Sequence, residues 1–553
     1  MSADLIVTNA RVLTMDPDRP RAEAVAVGGN RILHVGGAAD AMSLHRPGTR
    51  VVDAAGATLL PGFIESHLHI FMGGASLTSL QLAGVQGMDA LLRAVRDWSA
   101  AHPDDPIVYG VQASYQLLGE PLTRHILDRV LPGRPLGVHA FDGHTVWANT
   151  MALERAGLLH GRELPPGNEI IMGPDGLATG ELREPAAYAP LMALLPSGGR
   201  EKSGITTGRD PVPPPSPAAR AHDRATIGRG LDWCARHGIT SIHNMDGNPY
   251  QLELLRELDD VGELACRIRV PFHMKNDMTP AYLEEMAPVM RARSRADRVV
   301  CDFVKIFVDG VLDSTTAFML ADYEGQPGNR GLPLFTQEQI DAAVDAADRL
   351  GFQVAVHSIG DAGVRRTLDA YAAAHRANGP RDSRHRVEHI EIIDPADIPR
   401  FKELAAVASM QPLHSPGVLS YPGHEMMALL GKWREPWTFA WRTLREAGAR
   451  MCFASDWPVS PVDPLLSIQA AVTRTPFRPG QPEQAQTLDQ SLASYTRDNA
   501  WVEFAENRKG MLKEGYLADL VLLDGDIEAV PAEEIHGLKV RATIGDGRVT
   551  YEA

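Results

Sequence analysis

The chain has 553 residues, 44% hydrophobic and 22% charged, a balance that excludes disorder or membrane insertion as its organising feature. Its net charge of −16 argues against nucleic acid or an anionic membrane as the main partner and favours a small neutral or cationic molecule. The length suggests three or four domains at about 150 residues each, although α/β barrels pass 250 residues as single units.

The start, Met1-Ser2-Ala3-Asp4-Leu5-Ile6-Val7, lacks a basic stretch followed by a long apolar core, so no signal peptide is expected. No apolar run reaches membrane-spanning length. Cys234, Cys266, Cys301 and Cys452 lie far apart in apolar segments without C-x-x-C spacing. They read as reduced buried thiols, and the expected location is cytoplasmic.

Residues 4–56 are short β segments joined by turns such as Gly28-Gly29-Asn30, and Ala518 to Asp524 and Val540 to Val549 read the same way. Neither end carries enough strands to be stable alone, so residues 1–60 and 505–553 are expected to build one small β domain. Residues 61–504 form the α/β remainder.

Where the first β region ends, the apolar run Leu59 to Ile64 leads into Glu65-Ser66-His67-Leu68-His69. Side chains alternate along a strand, so His67 and His69 share a face and can offer two imidazoles to one cation. With 20 histidines in the chain, such a pair arises by chance roughly once, so its meaning depends on what recurs downstream.

Residues of about 75–235 are too many for one crossover and form an insertion. Within it, residues 196–217 are rich in Gly, Pro and Ser and read equally as a lid or a surface linker. Beyond it, strand-like runs at 239–243, 267–270, 302–308, 353–357, 386–389, 406–410 and 451–456 alternate with helical stretches. One helix, Glu338 to Leu350, places Ile340, Ala343, Val344 and Ala347 on one face and stops at Gly351. Repeated strand then helix signals a parallel barrel or a doubly wound sheet, which periodicity does not separate.

Lys305 interrupts the apolar run Phe303-Val304-Lys305-Ile306-Phe307-Val308, where a central parallel strand is buried on both faces. A buried ammonium must be paired, with Asp309 as the obvious partner, or neutralised. Carbamylation neutralises it and creates a carboxylate able to bridge two cations. His357, His389 and Asp456 each close a later β run, where barrel enzymes place active-site groups. Singly, each also reads as an ordinary core or turn residue. Together, two His, a buried Lys, two further His and an Asp at successive strand ends form an N/O ligand set suited to two zinc-like divalent ions.

The motifs Pro61 to His69, Asp142-Gly143-His144-Thr145-Val146-Trp147-Ala148-Asn149, Val304-Lys305-Ile306-Phe307-Val308-Asp309-Gly310, Val356-His357-Ser358-Ile359-Gly360-Asp361, Arg386-Val387-Glu388-His389 and Ser455-Asp456-Trp457-Pro458 resemble the amidohydrolase superfamily, and more closely its amidohydrolase-3 (YtcJ-like) branch. The resemblance covers nearly the whole chain. It implies a distorted (β/α)8 TIM barrel with a small β-sandwich, and hydrolysis of C–N bonds, N-substituted formamide deformylases being among the branch's activities. It makes His67 and His69 ligands of the more buried metal, His357 and His389 ligands of the second, Lys305 the carbamylated bridge, and Asp456 both ligand and proton shuttle. Glu184 is an alternative bridging carboxylate; Lys305 is preferred because its strand is otherwise apolar, where an ordinary surface role does not fit a lysine. His144 resembles the branch's D-G-H histidine and reads either as a donor to a developing oxyanion or as a structural residue. Tyr115, Phe318, His414 and Trp457 are pocket candidates that read equally as core, and His243 reads as structural.

The expected reaction is attack of a metal-held hydroxide on the amide-type carbonyl of a small molecule. The same ligand set would serve an esterase, lactonase or deaminase, or be retained in a catalytically silent metabolite-binding paralogue. A homodimer is common among such barrels by resemblance.

Overall fold

The computed structural model describes residues 2–141, 143–164, 168–418 and 423–553, so Asp142 of the D-G-H motif lies outside the described residues. The chain divides into two units, one made of residues 1–69 and 231–553 and the other of residues 70–230.

The first unit is built on two parallel sheets. One holds β1 (Phe63–Leu68), β2 (Ile239–Asn244) and β3 (Arg267–Arg269), with the short strand Val299–Val300 at its far edge. The other runs from Phe272–His273 through β4 (Phe303–Phe307), β5 (Gln353–Ser358), β6 (Arg386–His389) and β7 (Val407–Met410) to β8 (Arg450–Phe453). A single bridge pairs Leu68 with Trp457, joining the end of β1 to the chain just beyond β8. Every residue of β1, β2 and β5 is buried, as parallel strands covered on both faces require.

Register decides which polar residues come together. Phe307 is paired with His357, and Ser358 with His389, so the ends of β4, β5 and β6 stand side by side. The crossover helix before β5 spans Gln337–Arg349, starting one residue earlier than its apolar face predicts. Its N-terminus is set by a capping box between Thr336 and Gln339.

Both chain ends of this unit are strands. A four-stranded sheet (Arg31–Gly36, Ala24–Gly28, Leu5–Thr8, Arg50–Asp53) and a six-stranded one containing Thr58–Pro61, Leu520–Leu523 and Val540–Gly545 share a core of Val7, Val25, Leu59, Leu520 and Ile544. Arg267 on β3 reaches Asp519 at 3.2 Å and also pairs with Asp546, tying the terminal strands to the parallel ones.

The second unit has its own six-stranded mixed sheet, whose central strands are Thr145–Ala148 and Leu136–Ala140, with apolar clusters around Leu127 and around Leu182. Segment 196–217 is not wholly irregular: Arg200–Lys202 forms a 3-10 turn, and Arg200 grips Asp223 with two hydrogen bonds of 2.6 and 2.9 Å. All four cysteines are free and buried, and no described helix is long and apolar enough to cross a membrane.

In the terminal sheets, Gly547 has φ +76°, and a Cβ there would lie 1.9 Å from the Gly29 carbonyl oxygen. Gly547→Ala is therefore expected to lower unfolding free energy by about 2 kcal/mol or more, measured by urea denaturation.

Candidate metal centre

Positive charge is required where β1 ends. Asp456 Oδ1 lies 3.3 Å from both His67 Nε2 and His69 Nε2, all three residues being buried. The other ring nitrogens are already committed: His67 Nδ1 donates to Glu388 Oε2 at 2.6 Å, and His69 Nδ1 to Asp246 Oδ1 at 2.8 Å. Each Nε2 therefore carries a lone pair toward a carboxylate oxygen, and three acceptors share this space only if a proton or a cation joins them. The charge responses agree. Burial opposes ionisation of His69, but Asp246 and Asp456 outweigh it and raise its pKa to about 9. Burial likewise opposes ionisation of Asp456, yet His67 and His69 hold its carboxyl well below the ordinary range.

His389 and His357 complete the cluster. The His389 ring centroid is 4.7 Å from that of His67 and 4.5 Å from that of His357. Its Nδ1 bonds Gln411 Oε1 at 2.9 Å, leaving a buried Nε2 without a hydrogen-bond partner. His67, His389 and Asp456 present ligand atoms within 4.8 Å of one another. His357 donates from Nε2 to the Gly310 carbonyl at 3.0 Å. Burial, then the Lys305 charge, pushes its pKa down to about 3, so both neutral imidazoles are available as ligands.

Lys305 is fully buried and its Nζ has no hydrogen-bond partner. Asp309 does not pair with it, because that carboxylate accepts backbone N–H groups of Phe318, Ile359 and Gly360 at 2.9, 3.1 and 2.9 Å. Burial pushes the amine down to about 8, against partial compensation by Glu388 and Asp456. An amine so lowered, without a hydrogen-bond partner, gives up its proton far more readily than an ordinary lysine, and its neutral fraction is the form that carbamylation requires.

The remaining candidates differ in setting. His414 Nδ1 is 3.4 Å from Glu391 and its Nε2 4.0 Å from Asp456, with its ring stacked parallel to that of His389. Trp457 is buried, and its carbonyl accepts the N–H of His69 at 2.7 Å. Phe318 lies under the Arg366 guanidinium, 4.7 Å away. In the second unit, His144 Nδ1 and Glu184 Oε2 are 2.9 Å apart at the ends of paired antiparallel strands. Tyr188 donates to the Gly143 carbonyl at 2.8 Å, and Lys202 of segment 196–217 donates to the Tyr188 hydroxyl at 3.2 Å. Tyr115 donates to Thr145 and packs edge-on against Trp147 in that unit's core.

Sequence reasoning missed the groups behind the imidazoles. Glu388 is held by Arg386, whose Nε is 2.7 Å from Oε1 and whose Nη2 donates to Oε2 at 3.1 Å. Arg386 continues to His243 Nδ1 at 2.8 Å, and His243 Nε2 to Glu503 at 3.2 Å, so His243 serves this buried ion chain. The available signal was a Glu and an Arg inside a β run. Asp246 and Gln411 carry none, since polar residues after strands are common.

Buried imidazoles, a carboxylate and a lysine without a hydrogen-bond partner meet on and just beyond parallel strands as a candidate metal site. Comparison with known proteins agrees: the amidohydrolase family model matches residues 50–551, and the chain belongs to that family. It is 30% identical to the Arabidopsis thaliana protein LONG AFTER FAR-RED 3, over 94% of this chain and 87% of that one. It is 26% identical to the N-substituted formamide deformylase of Arthrobacter pascens, over 99% and 98% of the two chains. Among solved structures it resembles an uncharacterized metal-dependent hydrolase from Pyrococcus furiosus, with TM-score 0.71, 24% identity, and coverage of 96% and 99%, a likeness of fold.

The Lys305 amine predicts a pH dependence. Its folded pKa of about 8 lies below the ordinary 10.5, so between these values the unfolded chain binds more protons and stability rises with pH. Metal-free protein should therefore gain roughly 3 kcal/mol of stability from pH 8 to 10.5 relative to Lys305→Met, read by urea melts at each pH.

Proposed function

We propose that the chain hydrolyses a C–N bond of a small molecule, an N-substituted formamide or related amide, with two zinc ions as cofactor. The observation that carries the reading is the meeting of His67 Nε2, His69 Nε2 and Asp456 Oδ1 beside His389 and the unpaired Lys305. Full-length similarity to a deformylase supports the substrate class.

In this reading His67 and His69 would hold one ion, His357 and His389 the second, with carbamylated Lys305 between them and Asp456 as a further ligand. Divalent ions so placed lower the pKa of water to about 7 and polarise a carbonyl oxygen. Asp456, held ionised by its imidazole neighbours, accepts the proton of the attacking water and delivers it to the departing nitrogen. An amide nitrogen leaves poorly without that proton, so the same carboxylate acts as base and then as acid. Phe318, His414 and Trp457 are the proposed substrate wall.

The framework belongs to the proposal too. The Leu68–Trp457 bridge supports reading the two parallel sheets as one distorted (β/α)8 barrel over residues 61–504, with the insertion at about 75–235. The shared core of the terminal sheets supports a β-sandwich of residues 1–60 and 505–553.

Amine release from a panel of N-substituted formamides and longer amides tests the activity. Chelation should abolish turnover and added zinc should restore it, whereas turnover indifferent to chelation contradicts the reading. Asp456→Asn should lower kcat by about 10²- to 10⁴-fold, the usual worth of a positioned acid–base group.

A further inference from the structure

Each imidazole of the proposed ligand set has one nitrogen within hydrogen-bond distance of an oxygen atom, which accepts, so that nitrogen carries the hydrogen and the other is left to take a cation. For His67, His69 and His389 the bound atom is Nδ1, on Glu388, Asp246 and Gln411; for His357 it is Nε2, on the Gly310 carbonyl. The histidines therefore offer Nε2, except His357, which offers Nδ1.

The accepting groups are of two electrical kinds. His67 and His69 are backed by carboxylates. Arg386 pairs with both oxygens of Glu388, its Nε 2.7 Å from Oε1 and its Nη2 donating to Oε2 at 3.1 Å. Asp246 receives a second hydrogen bond from Gln251 at 2.8 Å. His389 and His357 are backed by neutral oxygens, the amide of Gln411 and a backbone carbonyl. Asp309 stands 3.8 Å from His357 Nε2, beyond hydrogen-bond reach, with its oxygens engaged by backbone N–H groups. A carboxylate behind an imidazole raises its basicity and stabilises the positive charge it takes up on binding a cation; a neutral oxygen does so less.

We infer that the two cation positions are unequal: a tight one at His67 and His69, set by Glu388 and Asp246, and a weaker, exchangeable one at His357 and His389, set by Gln411 and Gly310. Glu388 and Arg386 are positioning residues for the tight position. Occupancy of the complete centre then follows the free metal concentration through the second position. This rests on the metal-dependent reading above.

The test is titration of the metal-stripped full chain with zinc against a chromophoric chelator, repeated with cobalt by visible absorption. Wild type should fill in two steps separated by about tenfold or more. Glu388→Gln should weaken the tight step about 10- to 100-fold and leave the weaker step in place. Gln411→Glu, which places a carboxylate behind His389, should tighten the weaker step about tenfold. His357→Ala should remove only the weaker step. Because Glu388→Gln leaves Arg386 without its counter-charge, far-UV circular dichroism accompanies it, and Gln411→Glu tests the same idea with Arg386 and Glu388 intact. Two equal steps in wild type, or a tight step that survives Glu388→Gln and disappears in His357→Ala, would overturn the inference while leaving the hydrolase reading standing. A wild type that binds no divalent ion contradicts both.

Discussion

The contact on which the centre depends is the 2.6 Å bond between His67 and Glu388, with Arg386 behind it. Three ionisable groups are buried together, and each is tolerated only because of the next. Remove the Arg386 charge and Glu388 becomes a buried carboxylate without a counter-charge; remove Glu388 and the guanidinium loses its counter-charge and the His67 Nδ1–H its acceptor. The chain runs on through His243 and Glu503 to Lys509, which is 2.7 Å from Glu503 and also donates to Ser241 at 2.6 Å. A line of alternating charge thus runs through the first unit, and the imidazoles at its end take their orientation from it.

The ligand cluster and the fold are therefore one problem. Parallel strands bury both faces, so a polar residue in them needs a partner on a neighbouring strand. The register that pairs Phe307 with His357 and Ser358 with His389 brings those partners together. Lys305 is the exception, a buried amine that the strands leave without a hydrogen bond. Such a group costs stability in the metal-free protein, which is a common mark of a functional position.

Much of this was legible in the chain. His67 and His69 stand out because period two puts them on one face, and Lys305 because a single cation breaks an apolar run. Glu388 was hidden by the same alternation, which assigns it and His389 to opposite faces. The left-handed backbone at His389 and Ile390, φ 74° and 49°, ends the strand there and lets both residues serve one centre. Asp246 was hidden by distance, since its bond to His69 spans 177 residues. The sheet of residues 70–230 left little trace because its strands are short and mixed in direction. Their side chains carry no single period, and the region reads as an insertion without visible layers.

The central claim is that cations occupy the space between His67, His69 and Asp456. Anomalous X-ray diffraction at the zinc edge from crystals of the purified chain tests it most directly. The expected result is a peak at about 2.0–2.2 Å from the two Nε2 atoms, the usual zinc–ligand distance, and density extending past Lys305 Nζ into a carboxylate. Zinc-soaked crystals with no peak there, an unmodified Lys305 and Asp456 hydrogen-bonded directly to His69 would contradict it.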